Sequence, residues 1–199
     1  MVSMAPRIPP LAFEDRDQRT NEVLGDLIRT GEEEMRIFTT LAHHPRLLKR
    51  WSAFGGALLF GAELSDRDRE LLILRVGWLC NAPYEWGQHV IIGRQAGLTD
   101  EEIRSIARGP DDEAWSTDDA SLLQAADDLH ADNRISDETW ADLSQRYNKK
   151  QLIEICMVVG QYHLVAFTLN SLGVEPEPGL PVMPAGSSTR HLETGEANR

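Results

Sequence analysis

Residues 65–97 read SDRDRELLILRVGWLCNAPYEWGQHVIIGRQAG, with apolar residues that recur at helical spacing. This pattern predicts two helices, at 66–79 and 83–96. Ser65 is a suitable N-cap for the first helix, and Pro83 suits the first turn of the second. Because the turn between them is short, we expect the two helices to pack antiparallel against each other.

Similar helical patterns follow one another along most of the remaining chain. Two of the predicted helices begin with capping boxes, formed by Thr99 with Glu102 and by Asn148 with Gln151. No stretch alternates polar and apolar residues over the length of a strand. The sequence therefore predicts an all-α helical bundle. The further helices are expected at 17–29, 45–60, 99–109, 116–130, 136–147 and 148–172.

The length of 199 residues suits one domain with its own core, which we place at residues 1–175. Within it, residues 1–14 contain three prolines and are expected to form an extended N-terminal arm. Residues 176–199 are rich in proline, then in glycine and serine, and are expected to be an extended arm that ends in a disordered tail. The N-terminal arm is expected to pack through its apolar residues Ile8, Leu11 and Phe13.

The charge balance argues against several classes of partner. The chain has 20 basic and 32 acidic residues, a net charge of −12, so nucleic acid and anionic membranes are poor partners. Its two cysteines, Cys80 and Cys156, are far apart and do not indicate a disulfide framework. Charges or histidines interrupt the longest apolar stretches, and the N-terminus lacks a signal-peptide pattern. We therefore predict a cytoplasmic protein without a membrane span.

The segment CNAPYEWGQH, residues 80–89, carries the strongest chemical signal. Glu85 and His89 stand four residues apart on the predicted helix, so they lie on one face and can touch. A carboxylate beside an imidazole orients the ring and raises its basicity, as proton transfer requires. Glu70 on the preceding helix can face the same pocket. Two carboxylates and one histidine can divide acid and base roles, because like charges separate their pKa values.

Four other residues are candidates for lining this pocket, each with a plainer structural interpretation. Tyr84 and Trp86 can bind substrate or simply pack in the core. Cys80 is either a lone reactive thiol or a small buried apolar residue. His163 either lines the pocket or is a packed, hydrogen-bonded histidine. Glu70, Glu85 and His89 are also possible ligands of zinc or iron, but acid–base chemistry is favoured and no metal is predicted, because the segment has one histidine and no second one at helical spacing.

Three motifs together resemble the carboxymuconolactone decarboxylase family, which includes alkylhydroperoxidase D type peroxidases. The resemblance is close over residues 40–110 and looser to about 175. It implies an all-helical bundle of the alkylhydroperoxidase D-like type and no cofactor. It also implies a homo-oligomer, a trimer or hexamer with pockets near the subunit contacts. The motifs are RELLILR at 69–75, YEWGQH at 84–89 and AGLTDEEI at 96–103.

The family divides into branches by its cysteines. The resemblance places Glu70 and His89 on the glutamate and histidine of the peroxidase branch. The two cysteines of that branch fall on Ala82 and Glu85, so both redox cysteines are absent. Cys80 has no local partner for a disulfide. The segment therefore resembles the decarboxylase branch more, although the family's decarboxylase is shorter than this chain.

These observations lead to one main functional hypothesis and two alternatives. The main hypothesis is a cofactor-free acid–base lyase or isomerase that acts on a small carboxylated lactone or related carbonyl compound. His89 is the expected general acid–base, oriented by Glu85, and Glu70 is the second proton-handling group. The first alternative is an alkylhydroperoxidase D-like peroxidase that uses Cys80. The second is a non-catalytic helical protein that binds a ligand or takes part in assembly.

Overall fold

The computed structural model describes residues 5–25, 27 and 34–185. Within these residues the chain forms nine α-helices, a turn of 3-10 helix at Phe13–Asp15 and no strand. The prediction of an all-α fold is confirmed. The helices are α1 (Gln18–Gly25), α2 (Arg36–Leu41), α3 (Pro45–Phe60), α4 (Asp66–Leu79), α5 (Pro83–Gln95), α6 (Asp100–Arg108), α7 (Thr117–Asp132), α8 (Asp137–Arg146) and α9 (Lys149–Leu172).

Helix α4 lies at the centre and packs against α5, α6, α7 and α9. All of its residues from 68 to 77 are buried, including four with charged side chains. Buried charges need partners, because their desolvation is costly. Arg75 has such a partner in Asp127, whose carboxylate accepts hydrogen bonds of 2.6 and 2.7 Å from its guanidinium. The central helix thus brings charged groups into the interior, where they are held by specific contacts.

The predicted hairpin of α4 and α5 is present. The turn includes Asn81, which has a left-handed backbone with φ of 48°, and Pro83 begins α5. Gly77 in the last turns of α4 lies against Trp86 near the start of α5. Near the end of α5, Gly93 lies against Leu74 and Glu70, which are nearer the start of α4. The two helices therefore run antiparallel.

Capping residues in the sequence predicted most helix starts correctly, and one helix was not predicted. The capping boxes of α6 and α9 are present, and Ser65 caps α4. Helix α2 was not predicted, because its six residues are too few for a periodic pattern to develop. The helix expected at 17–29 is seen as α1, and residues 26 and 28–33 lie outside the described part.

The N-terminal arm lies against the helices through its backbone. The amides of Arg7 and Ile8 donate to the carbonyl of Leu172 at 2.8 and 3.2 Å. The amide of Leu11 donates to the carbonyl of Thr39 at 3.0 Å, and the Leu11 side chain packs beside α1 and α3. Phe13 was expected to pack, but it is 74% exposed, because main-chain bonds rather than this ring hold the arm. Residues 1–4 lie outside the described part.

The C-terminal arm crosses over α5. The carboxylate of Glu177 accepts hydrogen bonds from the Tyr84 hydroxyl at 2.8 Å and from the Gln88 amide at 2.9 Å. It also accepts one from the backbone amide of Arg36 at 2.7 Å. Further along, Leu180 lies close to Gly87. The disordered tail predicted at the end of the chain falls on residues 186–199, outside the described part.

Helix α9 is the one described helix that is long and apolar enough to cross a membrane. It has 24 residues and a mean hydropathy of 1.6 over its most apolar window. No such segment was expected from the sequence, because charges and histidines interrupt its apolar stretches. Half of that window is buried inside the protein, and α9 packs against α3, α4, α5 and α7. Its place in the core therefore explains the apolar residues on its buried side.

Candidate active site

The side chains of Glu70, Glu85 and His89 meet between α4 and α5. Their exposed fractions are 0%, 4% and 6%, so the cluster is nearly closed to solvent. The Nδ1 atom of His89 lies 2.7 Å from Oε2 of Glu70. Its Nε2 atom lies 3.6 Å from Oε2 of Glu85. One imidazole is thus held between two buried carboxyl groups.

The local sequence explains why these groups converge. Glu85 and His89 are one turn apart on α5, on the face that packs against α4. Gly93, one turn further on, lies against the stem of Glu70. A side chain at Gly93 would bring its Cβ within 3.1 Å of Leu98 and 3.3 Å of Leu74. Glycine at this position therefore permits the close approach of α5 to the carboxylate on α4.

The two carboxyl groups have different relations to the imidazole ring. Glu70 makes the short contact, so its carboxylate accepts the Nδ1–H proton and orients the ring. The other oxygen of Glu70 accepts a 3.3 Å bond from Nε of Arg69. The sequence analysis assigned the orienting role to Glu85, but Glu85 instead faces Nε2, the nitrogen that is free to exchange a proton. The rotation of α4, which brings Glu70 to Nδ1, accounts for the difference.

The electrostatic surroundings favour the protonated forms of Glu85 and His89. Burial lowers the pKa of His89, but the charge and hydrogen bond of Glu70 and the charge of Glu85 outweigh this and raise it. Burial also raises the pKa of Glu85, and the charge of Glu70 adds to the effect against an opposing contribution from His89. Glu85 and His89 therefore keep their protons to higher pH than they would in water.

Tyr162 on α9 completes one wall of the site. Its ring meets the imidazole of His89 edge-on, with the ring centroids 4.9 Å apart and the planes at 90°. Burial raises the pKa of its phenol, so the hydroxyl stays neutral. The sequence analysis did not propose Tyr162 as a site residue, because only the packing of α9 against α5 brings it to His89.

Tyr84 and Trp86 make their contacts elsewhere. The Tyr84 hydroxyl donates to Glu177 on the C-terminal arm and accepts a 3.2 Å bond from the amide of Ile37. Trp86 is 2% exposed and packs against Trp78, with ring centroids 5.9 Å apart. Tyr84 thus anchors the C-terminal arm, and Trp86 packs in the core. These contacts favour a structural role for both residues over substrate binding.

Cys80 and His163 lie in a different cluster. Cys80 ends α4, is half-buried, and packs beside the main core. Burial raises the pKa of its thiol to about 11. His163 contacts His130 and the carbonyl of Val159. Cys80 and His163 were predicted to line the pocket of His89, but they instead lie together with His130 on α7.

A cleft of about 370 Å³ is connected to the buried cluster through Arg69, which contacts Glu70, whereas Glu70, Glu85 and His89 do not line it. Arg69 forms part of its wall, and its guanidinium also contacts Asp66 at 2.8 Å and Glu70 at 3.3 Å. The sequence analysis gave Arg69 no role, although it directly precedes Glu70. Its position makes it the cationic side chain between the cleft and the carboxylates. The cleft is lined by Leu59, Phe60, Ala62, Asp66, Arg69, Ile92, Gln95 and Ala96.

Sequence comparison identifies the segment that holds this site. Residues 45–128 match the sequence profile of the Carboxymuconolactone decarboxylase family. The matched segment covers 84 of the 199 residues of the chain. It contains Glu70, Glu85 and His89, and it ends within α7. No curated protein matches the chain.

Solved structures are similar in fold to a larger part of the chain than this segment. The alkylhydroperoxidase AhpD core of an uncharacterized peroxidase-related protein from Ralstonia eutropha has a TM-score of 0.77 at 16% identity, over 88% of this chain and 94% of that chain. An uncharacterized peroxidase-related protein from Silicibacter has a TM-score of 0.74 at 16% identity, over 88% and 95%. The debrominase Bmp8 has a TM-score of 0.63 at 12% identity, over 86% and 92%. The fold is therefore alkylhydroperoxidase D-like.

Proposed function

We propose that this protein is a cofactor-free acid–base lyase or isomerase that acts on a small carboxylated lactone or related carbonyl compound. The observation that carries the proposal is the buried imidazole of His89 between Glu70 and Glu85. The family match of residues 45–128 supports an enzyme in general rather than this particular reaction. The convergence of three polar groups favours an enzyme over a non-catalytic helical protein.

The proposed chemistry needs a group that delivers a proton to carbon. When the substrate loses carbon dioxide, its C–C bond breaks and the electron pair passes into the conjugated carbonyl. His89 then donates a proton from Nε2 to the resulting enolate carbon, and a new C–H bond forms. Glu85 faces the same nitrogen and resupplies the proton, while Glu70 holds Nδ1 and stabilises the imidazolium. Solvent finally returns the proton to the site.

Arg69 is proposed to bind the substrate's carboxylate in the adjoining cleft. A guanidinium binds a carboxylate through charge-assisted hydrogen bonds. Arg69 already contacts two protein carboxylates, so a substrate carboxylate would compete with Asp66 at the more exposed end. The apolar part of the cleft, including Leu59 and Ile92, would contact the ring of the substrate.

The experiment is a screen of small carboxylated lactones for release of carbon dioxide. The wild-type chain is compared with His89→Gln and with His43→Gln, a matched exchange of an exposed histidine. We expect turnover of at least one lactone, a loss of about 10²–10⁴-fold in His89→Gln, and no loss in His43→Gln. Full activity of folded His89→Gln would refute the proposed role.

A thiol peroxidase that uses Cys80 is the second candidate. Two of the structurally similar proteins are described as peroxidase-related, which favours keeping this alternative. The raised pKa of the Cys80 thiol works against it, because the thiolate is the reactive form. Peroxide consumption by Cys80→Ser at the wild-type rate would exclude this candidate, and its loss there but not in Cys156→Ser would favour it.

A further inference from the structure

Cys80, His130 and His163 form a second cluster, outside the proposed acid–base site. They come from the end of α4, the last turn of α7 and the middle of α9. One potential ligand atom of each lies within 4.8 Å of those of the other two, and all three residues are half-buried. The fold thus gathers a thiol and two imidazoles from distant parts of the sequence.

Contacts with α9 hold two of these residues in place. The side-chain amide of Asn170 donates to the carbonyl of Cys80 at 2.9 Å, which fixes the α4–α5 turn against α9. Nδ1 of His163 donates to the carbonyl of Val159 at 2.8 Å. The thiol and the imidazole are therefore positioned by the same helix.

The hydrogen bonds also assign the proton on His163. A carbonyl oxygen only accepts, so Nδ1 of His163 carries a hydrogen and Nε2 of the neutral ring presents a lone pair. That nitrogen lies 2.9 Å from Nδ1 of His130, which donates to it. Histidines that bind metals commonly donate their other N–H to a backbone carbonyl in this way. His163 is thus already oriented as a metal ligand, with a proton where the metal would bind.

We propose that Cys80, His130 and His163 bind one zinc ion. Thiolate and imidazole are the ligands that zinc prefers, and three protein ligands leave a fourth position for water or another small ligand. Tetrahedral zinc holds such ligand atoms roughly 3.3–3.6 Å apart, given bonds of about 2.0–2.3 Å. The imidazole nitrogens at 2.9 Å need to separate slightly, and the thiol, within 4.8 Å of them, needs to approach by at most about 1.2 Å. Zinc then replaces the proton between the two rings, which moves through solvent to Nε2 of His130, and the Cys80 thiol releases its proton to solvent.

The zinc proposal is independent of the proposed function. The cluster shares no residue with Glu70, Glu85 and His89, so either proposal can fail without the other. No metal was predicted from the sequence, because only the segment around His89 was considered, and Cys80, His130 and His163 have no motif spacing. His130 is 50 residues from Cys80 and 33 from His163, and only the packing of three helices brings them together.

The test uses the untagged full-length chain and cobalt(II), whose spectrum reports its ligands. We expect one cobalt ion per chain, with the strong visible bands of four-coordinate cobalt and a near-ultraviolet thiolate-to-cobalt band. One equivalent of zinc should abolish both. Failure of the wild-type protein to bind cobalt or zinc at one per chain would overturn the proposal.

Matched variants locate the site. Cys80→Ser should lose the thiolate band, whereas Cys156→Ser should keep it. His130→Gln and His163→Gln should each weaken cobalt binding at least about tenfold, whereas His43→Gln should not change it. Circular dichroism checks that each variant is folded. A thiolate band that persists in Cys80→Ser would contradict the proposal, as would wild-type affinity in folded His163→Gln.

Discussion

At the scale of residues, His89 contacts a carboxyl group on each side of its ring. Glu70 is fully buried and approaches Nδ1 at 2.7 Å, and Glu85 approaches Nε2 at 3.6 Å. The raised pKa values of Glu85 and His89 mean that the folded protein binds protons more strongly there than the unfolded chain does. Folding is therefore linked to pH through these two groups.

The sign of this linkage gives a first prediction. A carboxyl group whose pKa is raised by folding makes its full contribution to the free energy of unfolding below its unfolded pKa, near 4.5. That contribution is lost as the pH rises toward the folded pKa, because the buried group resists ionisation. Glu85→Gln removes this loss. We expect the free energy of unfolding of Glu85→Gln, relative to wild type, to increase from pH 4 to pH 8 in denaturant titrations. A difference that stays constant or decreases with pH would contradict the raised pKa.

Arg69 gives a second prediction, which rests on the proposed function. Arg69→Met keeps an unbranched aliphatic stem and removes the guanidinium and its charge. We expect the KM for a carboxylated lactone to rise about 10–100-fold, since a hydrogen bond to a charged group contributes about 1.5–3 kcal/mol. Arg69→Lys should lose less, because the charge remains. An unchanged KM in folded Arg69→Met would remove Arg69 from substrate binding.

The sequence predicted that Glu70, Glu85 and His89 lie close together, but it did not predict how they are arranged. The spacing of Glu85 and His89 fixes their shared helix face, and the family resemblance adds Glu70. Which carboxyl group meets which nitrogen depends on the rotation of α4 about its axis, which spacing does not determine. Tyr162 and Arg69 were not predicted for a related reason, since their places beside the cluster depend on contacts between helices and on the position of the cleft.

At the scale of elements, the C-terminal arm is held on α5 through both polar and close apolar contacts. Glu177 receives hydrogen bonds from Tyr84 and Gln88, one turn apart on α5. Between them, Gly87 lets Leu180 approach the helix. This explains why an aromatic and an amide in the predicted active-site segment face the arm instead of the buried cluster.

Gly87 supports a third prediction. A Cβ at this position would lie 3.1 Å from that of Leu180 and 3.2 Å from the carbonyl oxygen of Pro181, so Gly87→Ala must displace the arm slightly. We expect faster amide hydrogen exchange in residues 176–185. Gly56→Ala on α3 is the matched control, because nothing lies within 4 Å of its added Cβ. Unchanged exchange of the arm in Gly87→Ala would show that the contact is not tight.

Elements were predictable where their signals are local. Ser65, Pro83 and the two capping boxes act within a few residues, so helix starts followed from the sequence. Helix α2 and the path of the C-terminal arm did not. The first is too short to show periodicity. The second depends on Glu177 meeting α5 and the backbone of Arg36, contacts that span more than 80 residues of chain.

At the scale of the whole molecule, the outward face of α9 is unusually apolar. Its exposed side chains recur at three- and four-residue intervals or their multiples, so they form one stripe. Exposed apolar stripes of this kind mark contacts with other molecules. The homo-oligomer implied by the family resemblance stays a prediction, and this stripe is its proposed contact surface. The stripe consists of Ile153 (61% exposed), Met157 (48%), Leu164 (51%) and Phe167 (59%).

The fourth prediction concerns this surface. Met157→Lys places a charge in the stripe, and burying it against a second copy would be costly. We expect light scattering to show an oligomer for wild type and a smaller species for Met157→Lys. Phe13→Lys, an exchange at a 74% exposed aromatic on the N-terminal arm, should leave the assembly unchanged. A monomeric wild-type protein would contradict the prediction.

Some predictions about the whole molecule remain open, and one feature lay beyond the sequence. A cytoplasmic location and the absence of nucleic-acid partners stay predictions from the net charge of −12 and the two cysteines. The Cys80, His130 and His163 cluster had no sequence signal, because three helices must pack before the side chains meet.

The most direct test of proton transfer by His89 is turnover of an active lactone in deuterium oxide. We predict that the product carries one deuterium at the carbon that lost the carboxylate. We also predict a rate about 10²–10⁴-fold lower in His89→Gln and unchanged in His43→Gln. Wild-type turnover and labelling by folded His89→Gln would contradict the account.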